Sequence, residues 1–360
     1  MHLDKLREQL VRLGLDGLLI TDKINRRYLC GFTGSNGLLL VTLDQLYLFV
    51  DGRYTQQARQ QTSGVKICEI PVGERIEQVL SSYINGKTMG FEEKTISYQT
   101  FKQYQQVFTQ ENGQLIATQN LVEQLRMVKS PKEITAIKRA ATIADQTLET
   151  ILPLIRVGMT ELEVANEIDY QSKKLGSEGP AFETIVASGV RTALPHAHAS
   201  QKKIQANELI MIDFGAIYQG YYSDITRTFA FGTVADQIKK TYQQVLTAQK
   251  QAIQAVSFEK SLGDIDQYTR KQLEKDHLAK YFSHNLGHGI GLSCHEYPSL
   301  MPNEAIKIQK NMTFTIEPGV YLAEADFGIR IEDDIVVTED GRAEIMTKFT
   351  KEWMTIDCNR

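Results

Sequence analysis

The chain has 360 residues, 42% hydrophobic and 23% charged, which is enough for two domains of roughly 100–200 residues with cores of their own. Its 40 basic and 44 acidic residues are well mixed and give a net charge of −4, which argues against nucleic acid and membrane surfaces as partners. Four scattered cysteines without a CxxC pair indicate neither a disulfide framework nor a thiolate zinc site. Because there is neither an apolar signal segment nor a run of about 18 apolar residues, we expect a cytoplasmic protein.

The first part of the chain alternates between helix-like and strand-like segments. An amphipathic pattern predicts a helix over residues 3–14, and short apolar runs predict strands over residues 17–20, 37–42 and 46–51. This order predicts a small α/β domain over residues 1–125.

Two capping boxes mark helices beyond this domain. Ser130 and Glu133 are the two ends of the first box, and Thr160 and Glu163 are the ends of the second. Gly176 is suited to end the second helix, and strand-like segments follow it. Together, residues 126–360 are predicted to form one α+β unit.

The segment "IDFGAIYQGYYSDITRTF" places two aspartates in a strand-like stretch. If residues 219–220 form a two-residue hairpin turn, Asp213 faces Thr226, and Asp224 lies two residues away on the same face. Buried carboxylates need a compensating partner, and a bound cation is one. An ion pair with Arg227 for one aspartate, and a turn position for the other, is the alternative that the hairpin alone leaves open.

Three further candidate ligands follow the hairpin. His288 lies among glycines in "HNLGHGIGLSCHE", Glu317 ends the strand-like "MTFTIEPGVY", and Glu332 is expected inside the strand "GIRIEDDIVV". The alternatives are an incidental histidine in a turn, a solvated strand end and a salt bridge to Arg330. With the two aspartates they provide five oxygen and nitrogen ligands, which suit two divalent ions, Mn²⁺ first and Co²⁺ or Zn²⁺ as alternatives.

The ordered motifs "IDFG", "SDITRTF", "GHGIGLSCHE", "TIEPGVY" and "RIEDD" resemble the pita-bread metallopeptidases, especially their proline-specific branch, aminopeptidase P and Xaa-Pro dipeptidase. The resemblance implies that a dinuclear metal centre is bound by Asp213, Asp224, His288, Glu317 and Glu332, with Asp224 and Glu332 bridging. "GFTGSNG" and "DGRYTQQA" are similar to a creatinase-type N-terminal domain. The expected fold is therefore an α/β creatinase-like domain followed by an α+β pita-bread catalytic domain over residues 126–360.

The same resemblance assigns roles around the metal ions. It implies that His196 and His295 contact the substrate and stabilise the tetrahedral intermediate, whereas His198 has no counterpart. Three residues resemble positions that line the substrate site, the first as the aromatic wall of a proline pocket: Phe182, His284 and Arg330.

The activity implied by the resemblance is hydrolysis of the bond between an N-terminal residue and a following proline by a hydroxide bound to the two ions. Glu317 is then the general acid and base. No arginine follows "HE" in "HEYPSLMP", and this absence, with "DGRY", favours aminopeptidase P, with Xaa-Pro dipeptidase as the alternative. Peptides with proline in second position are the expected partners, and the relatives imply a homodimer.

Other functions fit parts of the pattern. Methionine aminopeptidases share the five ligands, but they are usually shorter and lack a separate N-terminal domain. Some pita-bread domains have lost ligands and catalysis and only bind peptides or proteins, whereas all five ligands are present here. A thiol hydrolase built on Cys294 and His295 is disfavoured, because neighbouring residues of a strand point to opposite faces.

Overall fold

The computed structural model describes residues 2–358 and divides the chain into two compact units, Met1–Arg126 and Met127–Arg360. Within residues 2–358, no helix combines the length and the apolar character that crossing a membrane requires. Each unit has a separate hydrophobic core and is described by itself.

The N-terminal unit is built on one mixed six-stranded sheet. Its strands are β1 (Gly17–Ile20), β2 (Leu38–Thr42), β3 (Leu46–Asp51), β4 (Val65–Ile70), β5 (Thr88–Glu92) and β6 (Gln114–Thr118). Its helices are α1 (His2–Arg12), α2 (Lys23–Cys30), α3 (Thr55–Gln61), α4 (Ile76–Ile84), α5 (Tyr98–Gln110) and α6 (Leu121–Arg126). The strand order is β4-β3-β2-β1-β5-β6, and only β2 runs antiparallel to its neighbours. The predicted first helix and the first three strands are confirmed.

The C-terminal unit combines four long helices with two larger sheets and two short strand pairs. Its helices are α7 (Pro131–Ile151), α8 (Glu161–Lys174), α9 (Asp236–Gln254) and α10 (Leu262–Glu274). Its strands up to α9 are β7 (Ile185–Ser188), β8 (Glu208–Phe214), β9 (Ile217–Tyr218), β10 (Tyr221–Tyr222) and β11 (Ile225–Phe231). The later strands are β12 (Gly287–Gly289), β13 (Glu296–Leu300), β14 (Thr313–Ile316), β15 (Gly319–Leu322), β16 (Phe327–Arg330), β17 (Asp333–Val337), β18 (Ala343–Ile345) and β19 (Thr355–Ile356). The sheet orders are β19-β11-β8-β7 and β13-β12-β14-β17-β18, with β9 paired to β10 and β15 to β16.

Both predicted capping boxes are confirmed. Ser130 Oγ accepts a hydrogen bond from the backbone N–H of Glu133, whose carboxylate accepts one in return from the Ser130 N–H. Thr160 and Glu163 form the same reciprocal pair at the start of α8. Gly176 follows the end of α8 with a φ of +107°, a conformation that glycine adopts without strain.

The hairpin prediction is also confirmed, because Asp213 pairs with Thr226 where β8 and β11 run antiparallel. Residues 219 and 220 form the turn with φ values of +49° and +71°, the left-handed conformation that a tight hairpin turn uses at both central positions. Ile212 packs in the core cluster that includes residues of α7 and α8. Since strand side chains alternate, Asp213 is directed to the other face, where Arg330 lies.

Two strand placements from the sequence are wrong. Asp224 lies in the link before β11, and Glu332 lies in the link between β16 and β17. The reason is that their N–H groups do not join the expected ladders: the Asp224 N–H donates to Asp334 Oδ2, and the Glu332 N–H donates to the Thr226 carbonyl. Each ligand therefore lies one residue before a strand begins, Asp224 before β11 and Glu332 before β17.

Gly287 allows β12 to approach β14 closely. A Cβ at this position would lie 2.1 Å from the backbone oxygen of Thr315. We expect Gly287→Ala to lower the free energy of unfolding by about 1–3 kcal/mol, the usual cost of overpacking. Gly179→Ala is the control, because nothing lies within 4 Å of its Cβ position. Urea unfolding of chelator-treated protein, followed by the fluorescence of Trp353, measures both, and equal stability of the two variants would contradict the prediction.

Candidate metal centre

The structure brings the predicted ligands together in the C-terminal unit. Ligand atoms of Asp224, His288 and Glu332 all lie within 4.8 Å of one another. His288 Nε2 is 3.6 Å from Asp224 Oδ2 and 3.3 Å from Glu317 Oε1. The charge of Asp213 acts on the pKa of Asp224, Glu317 and Glu332, so that all four carboxylates share one electrostatic environment.

Burial of these carboxylates makes their charged forms unfavourable. Burial first, and then the neighbouring carboxylates, raise the pKa of Asp224 and of Glu332 well above the usual range. Burial also raises the pKa of Glu317 to about 8, although the Arg330 guanidinium opposes this shift. For His288, burial and then the neighbouring His295 lower the pKa to about 3, so that its imidazole is neutral and free to act as a ligand. The protein alone does not neutralise this cluster.

Three carboxylate oxygens in the cluster are buried and accept no hydrogen bond: Asp213 Oδ1, Asp224 Oδ1 and Glu332 Oε1. The second oxygen of each group is bound, to Arg330, Cys294 and Thr226 respectively. Leaving a buried acceptor unpaired costs roughly 1–3 kcal/mol, and more for a charged group. Oxygen ligands with one open acceptor each, next to a neutral imidazole, fit hard or borderline divalent cations.

Arg330 supports one side of the cluster. It is 3% exposed and donates to Asp213 Oδ2 at 2.5 Å, Thr226 Oγ1 at 3.1 Å and the Tyr321 hydroxyl at 2.7 Å. Arg330 therefore pairs with Asp213 and not with Glu332, the partner that the salt-bridge alternative required. Arg227 pairs with Asp333 at 2.7 Å, which removes the corresponding alternative for the two aspartates of the hairpin.

Of the histidines with predicted substrate roles, His295 lies next to the ligand His288, and His196 acts electrostatically on its neighbours. The ring centroids of His295 and His288 are 4.0 Å apart. The charge of His196 acts on the pKa of both His284 and His295. His284 Nε2 is 2.9 Å from the Tyr321 hydroxyl. Burial and then Arg330 lower the pKa of His284 to about 4.

Phe182, a predicted site residue, and His198, which has no predicted role, have different surroundings. His198 is exposed and lies 3.0 Å from Glu183, which agrees with its lack of a counterpart in the resemblance. Phe182 is partly exposed in a bend three residues before Ile185, the β7 residue that pairs with Asp213. Its place beside this strand leaves the predicted role in a proline pocket as a hypothesis.

The strand that was expected to separate Cys294 from His295, and so to disfavour a thiol hydrolase, is absent at this position. Residues 291–295 form a bend, and ligand atoms of Cys294 and His295 lie within 4.8 Å of each other. A different observation disfavours a thiolate nucleophile: burial and then Asp224 raise the pKa of Cys294 well above its usual value. An activated cysteine requires the opposite shift.

Several supporting residues were not identified from the sequence. Tyr321 joins Arg330 to His284, and Thr315 donates through its hydroxyl to Glu317 Oε1 at 3.0 Å. Asp334 accepts from the N–H of Asp224 at 2.9 Å. The alternation along "TFTIE" could have identified Thr315 as a partner of Glu317, because Thr315 lies two residues before Glu317 and on the same face of the strand. Contacts such as those of Asp334 join distant segments and leave no local pattern.

Comparisons with known proteins agree with this geometry. The model of metallopeptidase family M24 matches residues 135–339, and the creatinase/prolidase N-terminal domain matches residues 2–128. The Xaa-Pro dipeptidase of Pyrococcus furiosus is 33% identical over 98% of this chain and 99% of its own length. The structure of a Xaa-Pro dipeptidase from Bacillus anthracis is 37% identical, with a TM-score of 0.94 over 98% of this chain and 99% of that one. The structure of an X-Pro aminopeptidase from Thermotoga maritima is 37% identical, with a TM-score of 0.88 over 97% of this chain and 100% of that one.

These findings confirm the expected fold class, a creatinase-type α/β domain followed by a pita-bread catalytic domain. Metallopeptidase family M24 implies divalent metal ions. The buried acceptors of Asp213, Asp224 and Glu332 are suited to hold them.

Removal of metal ions should make stability fall with rising pH near neutrality. The pKa of Glu317 is 4.5 in its ordinary state and about 8 when folded, so the folded state binds more protons on this group between those values. Stability then decreases as pH rises through this window. Folded His284 and His288, with pKa values of about 4 and 3, act in the opposite direction, but only up to their ordinary value of 6.5. The carboxyl groups therefore set the slope between pH 6.5 and 8.

Urea unfolding of chelator-treated protein at several pH values in this interval measures the effect. Glu317→Gln should give a shallower decline, because one of the shifted carboxyl groups is gone. Adding Mn²⁺ should restore stability most at the upper end, where the carboxylates are ionised and bind best. A free energy of unfolding that is flat or increases from pH 6.5 to 8 in chelator would contradict the expectation.

Proposed function

The chain belongs to metallopeptidase family M24, and from this premise we propose that it hydrolyses the bond between an N-terminal residue and a following proline, with Xaa-Pro dipeptides as its main substrates. The observation that carries the proposal is the set of three buried carboxylate oxygens without hydrogen-bond partners beside a neutral His288. A pita-bread protein that only binds a partner has no need to keep such an unfavourable cluster. The matching N-terminal domain also disfavours a methionine aminopeptidase.

The choice of dipeptides rests on relatives and replaces the aminopeptidase P preference that the sequence alone favoured. Proteins named Xaa-Pro dipeptidase match nearly the whole chain, both as a sequence and as a solved structure. Aminopeptidase activity on longer Xaa-Pro-Yaa peptides is the second candidate. It is supported by the aminopeptidase structure and by Arg330, whose Nε and both Nη atoms already donate to protein groups. Such an arginine is poorly placed to bind the free carboxylate of a product proline.

We assign the cation site to Asp213, Asp224, His288, Glu317 and Glu332. Bound divalent ions lower the pKa of a water molecule and polarise the scissile carbonyl. Four carboxylates and one imidazole form a mostly hard donor set, and we therefore propose Mn²⁺ as the preferred ion of this set. Arg330 donates to Asp213 Oδ2 and Thr226 donates to Glu332 Oε2, which leaves the other oxygen of each carboxylate without a hydrogen-bond partner.

The protein groups around the cation site would move protons and orient the peptide. Glu317 would accept a proton from water and deliver it to the leaving proline nitrogen. His196 and His295 would donate hydrogen bonds to the oxygen on which negative charge develops. Proline lacks an amide hydrogen and has a fixed φ, so we propose that an apolar wall at Phe182 selects it by shape.

Peptide hydrolysis with chelator-treated protein tests the substrate class and the metal requirement together. A Xaa-Pro dipeptide should be cleaved after Mn²⁺ is added, and a Xaa-Pro-Yaa tripeptide more slowly. Asp224→Asn should abolish cleavage, since it removes charge and changes a ligand at the centre of the cluster. Asp44→Asn, a control at an exposed site in the N-terminal unit, should change little. Faster cleavage of the tripeptide would favour aminopeptidase P, and no cleavage of either peptide with any metal ion would refute the proposal.

His196 and His198 provide a matched pair on one loop. If His196 stabilises the developing charge, His196→Ala should lower kcat by about 100-fold, the usual loss for one such hydrogen-bond donor. His198→Ala should change kcat by less than about 2-fold, because its contact is an exposed pair with Glu183. Steady-state kinetics on the same dipeptide measure both variants. Equal losses would indicate that the loop conformation, and not the imidazole of His196, limits the rate.

A further inference from the structure

Cys294 is a buried thiol directed at the carboxylate cluster, and the proposed hydrolysis does not use it. The residue is 5% exposed, and its Sγ donates to Asp224 Oδ2 at 3.2 Å. That oxygen is also 3.6 Å from His288 Nε2. Ligand atoms of His288, Cys294 and His295 lie within 4.8 Å of one another. A sulfur and two imidazoles thus share one corner of the cluster.

The same corner has an open acceptor. Asp224 is 3% exposed, and its Oδ1 is buried without a hydrogen-bond partner, although its Oδ2 accepts from the thiol. An ion at this corner would therefore meet an oxygen, a sulfur and imidazole nitrogens. Thiolate and imidazole ligands select softer ions than a set of carboxylates does.

Without a cation the thiol keeps its proton and donates it in a hydrogen bond to Asp224 Oδ2. A divalent ion reverses the sign of the local field and deprotonates a thiol that coordinates it. In this exchange the S–H bond breaks, the proton passes to the buffer, and a sulfur–metal bond forms without any change in oxidation state. No further reactant is required.

We propose that Cys294, together with His288 and His295, forms a site for soft divalent ions such as Cd²⁺ and Zn²⁺ at one corner of the carboxylate cluster. The inference rests on the proposed function only in the use of His288 as a shared ligand. A soft ion held here occupies His288 and His295 at once. It therefore competes with Mn²⁺ for the imidazole of His288, and it makes the imidazole of His295 unavailable to the substrate.

Titration of the chelator-treated full chain with Cd²⁺ tests this site without reference to activity. A cadmium–thiolate bond produces an ultraviolet charge-transfer band, which should appear in the wild type and disappear in Cys294→Ala. Cys30→Ala, which removes a partly buried thiol of the N-terminal unit, should keep the band. Cys294→Ser offers the Asp224 carboxylate a hydroxyl in place of the thiol, and should also lose the band if sulfur is the ligand.

Competition with a chromophoric chelator gives the affinities. Loss of Cys294 should weaken Cd²⁺ binding by at least the roughly 10–100-fold that loss of an outer partner of a metal ligand causes. Mn²⁺ affinity should fall much less, because a hard ion gains little from sulfur. Equal loss for both ions would overturn the proposal, since it would mean that the thiol only positions Asp224.

The outcomes separate this inference from the proposed function. A band that persists in both Cys294 variants, or a wild type that binds Cd²⁺ without a band, would refute the thiolate site. Mn²⁺-dependent dipeptide cleavage by that same wild type would leave the peptidase proposal intact. Conversely, a band that depends on Cys294 in a protein that cleaves no Xaa-Pro peptide would support the site and refute the peptidase.

Discussion

Mutual repulsion among buried carboxylates is the constraint on which the C-terminal unit depends. Asp224 and Glu332 are 3% and 2% exposed; beyond burial, Asp213 and Glu317 raise the pKa of both, and Asp224 also raises the pKa of Glu332. Charges this close in a poorly solvated space oppose folding unless something compensates them. The surrounding strands supply part of the compensation through Arg330, Thr226 and Thr315. A bound cation would compensate the negative charge that these contacts leave unbalanced.

The adjacent residues Asp333 and Asp334 show how differently the charges of two neighbouring buried acids are compensated. Asp333 is fully buried, yet Arg227 and Lys351 outweigh burial and lower its pKa. Burial raises the pKa of Asp334 well above the usual range, and the Asp224 N–H opposes this only in part. Neighbouring strand side chains point to opposite faces, so one faces a paired network and the other faces the candidate metal centre. The ion pair of Asp333 also anchors β17, and Glu332 lies directly before that strand.

Much of this arrangement could be predicted from the sequence because its determinants are local. The hairpin register follows from a two-residue turn, and the starts of α7 and α8 follow from reciprocal capping pairs. The strand positions expected for Asp224 and Glu332 were wrong because long-range hydrogen bonds to Asp334 and Thr226 replace the ladder. The partners of Arg330 and the direction of the Cys294 thiol likewise depend on segments that are distant in the chain. Periodicity carries no information about such contacts.

The cost of the cluster links its function to its stability. A carboxylate paired within the protein, such as Asp333, stabilises the fold with or without a cation, and it gains nothing when one binds. An acceptor without a hydrogen-bond partner, such as Asp224 Oδ1, lowers the free energy of unfolding of the metal-free protein. This loss of stability is recovered only when a cation binds. The affinity of the site for cations and the weakness of the metal-free unit are therefore two expressions of the same unpaired oxygens. A substitution that made the metal-free protein more stable by pairing these oxygens would remove the means by which it holds its ions.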